Sequence, residues 1–144
     1  VQRYASVGKL KGNSEHGKAL FTTHCSVCHS FKGQGNKVGP DLATFSVKPI
    51  NDWLIGILDP NRAVETTYTT YLIMNKDDSA LTGVLATETP AALIIRTASG
   101  QEMTILRKNL KSVRSLGASL MPEGLETALK PQAVADLLAY LRSP

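Results

Sequence analysis

The stretch Cys25-Ser26-Val27-Cys28-His29 constrains this chain more than any other, because five positions hold both of its cysteines and one of its three histidines. Shuffling the composition would place two cysteines three apart, followed by histidine, about once in 3,500 times for such a motif. A disulfide between them would close a tiny loop and staple little of a fold. The pair therefore has to be read through its chemistry. On a helix, positions i, i+3 and i+4 share a face, so both thiols and the imidazole would approach one object from one side.

Three chemistries use such a set. In the first, each thiol adds to one vinyl group of a single porphyrin and the neutral imidazole ligates its iron, which is the c-type haem attachment pattern. In the second, the cysteines are a redox dithiol and His29 is incidental. That motif belongs beside a βαβ unit, and no such unit flanks it here. In the third, His24, Cys25, Cys28 and His29 hold zinc. The ligand count suits a structural site, but residues adjacent on a helix point about 100° apart. The first reading follows: one covalent haem c on Cys25 and Cys28, with His29 on the iron.

Around the motif the chain reads as helix. Ser14 is the expected N-cap, Glu15 suits the positive end of the helix dipole, and Gly17, Leu20, Phe21 and His24 form one face up to the motif. Gly33, Gly35, Gly39 and Pro40 then mark a loop. A short helix is expected over 48–58, around Trp53, Leu54, Ile57 and Leu58, stopping at Asp59-Pro60. Next the period changes to two. Tyr71/Ile73 and Leu72/Met74 alternate, and strand-like runs follow at 81–87, 93–97 and 103–107, with a fifth, short strand ending at Val113. Lys76-Asp77-Asp78-Ser79, Thr89-Pro90 and Ser99-Gly100 supply the turns. Pro131 opens a last helix whose Val134, Leu137, Leu138 and Leu141 make an apolar stripe. Gly17 lets that helix approach the first one closely.

A haem iron that only passes electrons needs a ligand on its second face. The candidates are Met74, Met103, Met121, His16 and His24. Alternation accounts for Met74 and Met103 as residues of a sheet. His16 and His24 lie on the helix that feeds the motif, on the wrong side. Met121 precedes Pro122, which imposes an extended backbone, and it is the expected sixth ligand.

With 42% apolar and 19% charged residues, the composition is globular, and the length suits one domain, 1–144. No apolar run is long enough to span a membrane. Val1-Gln2-Arg3-Tyr4 does not open a signal peptide, so either a leader has been removed or this is part of a longer protein. The net charge of +4 would fall to roughly +2 with two haem propionates. No nucleic-acid footprint is seen, since the basic residues are not interleaved with stacking aromatics. Arg107, Lys108, Lys111 and Arg114 form a basic cluster that is either a solvated strand edge or a docking surface for an acidic partner.

Together, the helix with Gly17 and Phe21, the motif Cys25–His29, Gly39-Pro40-Asp41-Leu42, Met121-Pro122 and a last helix with Leu137 and Tyr140 resemble a class I mono-haem cytochrome c. The resemblance implies a mainly α fold with crossing terminal helices and the haem between them. A small antiparallel β meander, about residues 66–113, would be inserted in it. It also implies that the Pro40 carbonyl accepts a hydrogen bond from the ligating His29, that Leu42 packs on the haem, and that Trp53 reaches a propionate. Ile57-Leu58-Asp59-Pro60-Asn61-Arg62 and Ser119-Leu120-Met121-Pro122-Glu123-Gly124-Leu125 are similar to the β-inserted haem-binding domains at the C-terminal end of large exported proteins. The implied function is electron transfer with His/Met ligation, not enzymatic catalysis, relaying to redox partners or to adjacent domains in a periplasmic or otherwise exported setting. The alternative is a haem-based sensor or a peroxidase-like enzyme with an open sixth position.

Overall fold

A computed structural model describes all 144 residues. It divides into two compact units, one made of residues 1–63 and 122–144 and the other of residues 64–121.

The first unit is helical. Helix α1 spans Ser14–His24, α2 spans Ile50–Leu58 and α3 spans Pro131–Leu141. The N-cap of α1 is Asn13 rather than Ser14, its side chain accepting the His16 N–H at 3.1 Å. Both residue types cap well, and taking the earlier one leaves the Asn13 N–H to donate to Asp136 at 2.8 Å. The stripe on α3 is buried as its spacing requires, and Ala135, Asp136 and Tyr140 are buried with it. α3 is therefore enclosed on most sides. Gly17 sets the approach of α1 to α3: a Cβ there would run into the Asp136 carbonyl and lie 2.9 Å from the Tyr140 Cβ. The rings of Phe21, Phe31 and Tyr140 meet at centroid distances of 5.0–6.0 Å, in tilted or edge-on arrangements. Such arrangements suit the ring quadrupoles.

Phe31 belongs to a small hairpin, β1 (Ser30–Phe31) with β2 (Gln34–Gly35). Its loop residues Lys32 (φ +48) and Gly33 (φ +77) are both left-handed, as a tight two-residue hairpin demands. Lys32 lies over the Phe31 and Tyr140 rings at 5.3 and 5.6 Å, and its ammonium donates to the Ser143 hydroxyl at 2.9 Å. The hairpin that follows His29 is thereby fixed to the end of α3.

The second unit is an antiparallel sheet of five strands, β3 (Thr69–Asn75), β4 (Ala80–Glu88), β5 (Ala92–Arg96), β6 (Glu102–Leu106) and β7 (Leu110–Ser119), in the order β6-β5-β4-β3-β7. Ile73, Leu93 and Ile95 form its core, with Tyr71, Leu81, Leu85, Ile105 and Leu110 packed around them.

The expectation of a mainly α fold carrying a small meander is overturned. Helix accounts for 35% of the chain and strand for 28%, so neither dominates. Two physical features account for the difference. β7 does not end at Val113 but continues to Ser119, pairing Thr69 with Ser119 across an irregular register. The helices, meanwhile, are short, 9 to 11 residues each.

Candidate cofactor site

α1 ends at His24, and Cys25 is its C-cap with φ −121°. The motif is thus a turn that follows the helix rather than part of it. Its spacing survives, because Cys28 N–H and His29 N–H both donate to the Cys25 carbonyl, at 3.1 and 2.8 Å. The glycine-rich loop then closes over the turn's exposed carbonyls. Asn36 N–H donates to Ser26 O at 2.9 Å, the Asn36 side-chain amide to Val27 O at 3.0 Å, and Gly39 N–H to Cys28 O at 2.7 Å. Gly35 has φ +92° and no room for a side chain, since a Cβ there would run into the His29 carbonyl. The sequence marked Gly35 only as loop punctuation and missed Asn36. The signal for both was their position just after a motif whose carbonyls need donors.

His29 is held on two sides. Its Nδ1 lies 2.8 Å from the Pro40 carbonyl, and a carbonyl can only accept. Nδ1 therefore carries the proton, and Nε2 keeps its lone pair. Gly39 lies flat on the ring, where a Cβ would stand 2.6 Å from Cε1 and 2.9 Å from Nδ1. Burial lowers the pKa of His29, and the hydrogen bond to Pro40 opposes that shift without cancelling it. The imidazole is therefore neutral near neutral pH, as a metal ligand must be. Cys25 and Cys28 are thiols and form no disulfide. Burial, with a smaller contribution from neighbouring Cys28, pushes Cys25 up to about 12. Burial also raises Cys28. As they stand, both are protonated at neutral pH and poor nucleophiles.

Leu42 is buried in a 3-10 turn, Leu42–Phe45, capped by the Asp41 carboxylate, which accepts from Ala43 N–H at 2.9 Å. Phe45 meets Trp53 edge-on at 6.1 Å. The Trp53 indole N–H is buried with no hydrogen-bond partner in the protein. Such a donor is costly unless something else accepts from it. Six of the expected site residues, Cys25, Cys28, His29, Pro40, Leu42 and Trp53, thus belong to the helical unit. Met121 is the last residue of the sheet unit, half-buried, with its N–H donating to Ser119 Oγ at 3.0 Å.

The rival ligands fare differently. His16 Nδ1 is engaged by Asp136 at 2.6 Å, and Met103 is exposed in β6. No group of three or more His, Cys, Asp or Glu side chains is arranged to hold a metal ion.

A neutral, oriented imidazole, two thiols beside it, a glycine against the ring and an orphaned indole donor together fit a covalently held haem.

Residues 14–80 match the family model described as Cytochrome c. The match covers just under half of the chain and supports a cytochrome c class domain, with haem-based electron transfer as its general function and covalently bound haem c as its cofactor. It ends at Ala80, so it takes in Cys25, Cys28, His29, Pro40, Leu42 and Trp53 and leaves out Met121. Among solved structures, this chain is similar to a crystal structure of the pleiotropic translational regulator Hfq. The identity is 12%, over 48% of this chain and 94% of that one, with a TM-score of 0.32. A likeness that low does not bear on fold or function. No helix is long and apolar enough to cross a membrane.

Proposed function

We propose that this chain is an electron-relay cytochrome domain, into which the sheet unit is inserted, and that one haem c is held by Cys25, Cys28 and His29 with Met121 as the second axial ligand. The observation that carries the reading is the state of His29. Pro40 fixes its tautomer, Gly39 fixes its plane, and Nε2 is left with a lone pair and no proton. The haem iron supplies reversible one-electron chemistry. Every other contribution is the chain's own. The Pro40 carbonyl draws on the Nδ1–H and raises the basicity of Nε2. Leu42 and Trp53 present apolar surface that excludes water, and the Trp53 N–H is available to a carboxylate. Met121 carries a thioether that raises the reduction potential relative to a second imidazole. It stands just before Pro122, a position at which proline disfavours helical backbone.

In this reading the chain serves redox partners or neighbouring domains of a longer, exported protein, and it leaves no open iron position. The test is addition of carbon monoxide to the reduced holoprotein. No binding in the wild type, together with rapid binding in Met121→Ala and loss of its Met-to-ferric charge-transfer band, is the expected result. Rapid, complete binding by the wild type would instead favour a sensor or peroxidase-like protein.

A further inference from the structure

We propose that β7 is a docking edge for an extended acidic segment of a protein partner, which adds to the sheet as a sixth strand. β7 is the longest strand of the molecule and terminal in its sheet, so one side of its backbone pairs with β3 and the other with no strand. Residues 111–117 are all exposed. Edges are commonly shortened, bulged or guarded by charge; β7 keeps its full ten-residue length, and between its two irregularities a regular run at 112–115 carries no charge on the core face.

Its register shows why. Cross-strand partners share a face, and Val113 and Ser115 stand opposite Ile73 and Tyr71, which belong to the sheet's apolar core. Ser112 and Arg114 stand opposite Met74 and Leu72, on the other face. The core face of this edge therefore ends in Val113, 43% exposed, while the charge points outward. Irregularities in register lie on both sides of the regular run 112–115. The other edge, β6, is half as long and begins with Glu102.

Charge complementarity selects the occupant. No carboxylate occurs between Met103 and Pro122, whereas Arg107, Lys108, Lys111 and Arg114 do. Arg107 pairs with Glu88 at 3.1 Å and Lys111 with Asp78 at 3.2 Å, both exposed pairs that competing carboxylates readily replace. Lys108 and Arg114 take no part in the sheet's ion pairs. A strand laid beside β7 would meet an apolar side chain on one face and a guanidinium on the other. The fitting segment therefore alternates apolar and acidic residues, and the ladder supplies affinity while the alternation supplies selection.

The test titrates a short peptide alternating Val and Glu into the intact holoprotein and follows backbone amide shifts. The expected result is perturbation of residues 110–117, weakened by salt, with affinity falling about tenfold in Lys108→Glu/Arg114→Glu, because two exposed attractions are replaced by two repulsions. These positions are exposed, so the variant folds. A matched peptide with Lys for Glu should not bind. The proposal is overturned by shifts that leave β7 untouched, by affinity unchanged on charge reversal, or by displacement of the peptide by a single-stranded oligonucleotide of equal charge. It is equally overturned if β7 amides are already protected by a second copy of the chain.

Discussion

The helical unit and the sheet unit are held together by different means. In the helical unit, single residues carry tasks that no neighbour can take over. Gly17 admits the α3 backbone, Gly39 admits the His29 ring, and Asp136 gathers three donors from both terminal segments, Asn13 N–H at 2.8 Å, Gln132 Nε2 at 2.9 Å and His16 at 2.6 Å. In the sheet unit, the work is shared along ladders. Its buried core is small, Ile73, Leu93 and Ile95, and one strand is exposed over most of its length. Where a chain has to present chemistry, its sequence is specified atom by atom; where it only has to form a surface, a pattern suffices.

Substitutions should expose that contrast. The largest effect is expected for Cys25→Ser/Cys28→Ser expressed where haem is attached: all pigment retained through denaturation should vanish from a gel, while the strand signal of the sheet unit persists in circular dichroism. Next comes Leu137→Ala in the fully buried heart of α3. It should cost about 2–5 kcal/mol in urea unfolding, as large-to-small core changes do. Leu116→Ala on β7 should stay within about 0.5 kcal/mol, and equal losses at the two sites would erase the distinction. Gly17→Ala should cost at least about 1–3 kcal/mol, the range for overpacking, because the added carbon meets main chain, which yields less than a side chain.

Acid supplies a gentler probe. Burial pushes the Asp136 carboxyl up, but its hydrogen bonds from His16, Asn13 and Gln132 outweigh that and hold it below the ordinary carboxylate range. A group depressed on folding contributes in full above its unfolded value, about 3.9, and loses that contribution as pH falls through the lower folded value. The stability gap between wild type and Asp136→Asn should therefore be constant near neutrality and close below about pH 4. In the haem-free protein, an alkylating agent should modify the less buried Cys28 before Cys25, as mass spectrometry would show. The reverse order would contradict the raised Cys25.

The helices and the attachment motif were legible because their signals are local. α1 falls where its apolar face, acidic first turn and following cysteines place it, and α3 where Pro131 and its stripe place it. What stayed hidden depends on partners distant in sequence. Asp136, a lone acid within an apolar helix, has no role until α1 crosses it and brings the Asn13 and His16 donors to it. Ser14 looked like the cap until Asn13 proved to have two jobs. The extent of β7 was illegible because Lys111, Ser112, Arg114 and Ser115 bury nothing, so no alternation announces that the strand continues. The size of the sheet, and with it the fold class, was misjudged for that reason.

The crossing of α1 on α3 joins residues more than 100 positions apart, as the 123-residue interval between Asn13 and Asp136 shows. A ribosome has therefore released every strand of the sheet before α1 meets the helix that shelters it. Until then Phe21 has no Tyr140 to rest on, and nascent α1 carries an uncovered face. Closing so wide an interval is slow, so the helix that leads into the two cysteines is among the last parts of the chain to be seated.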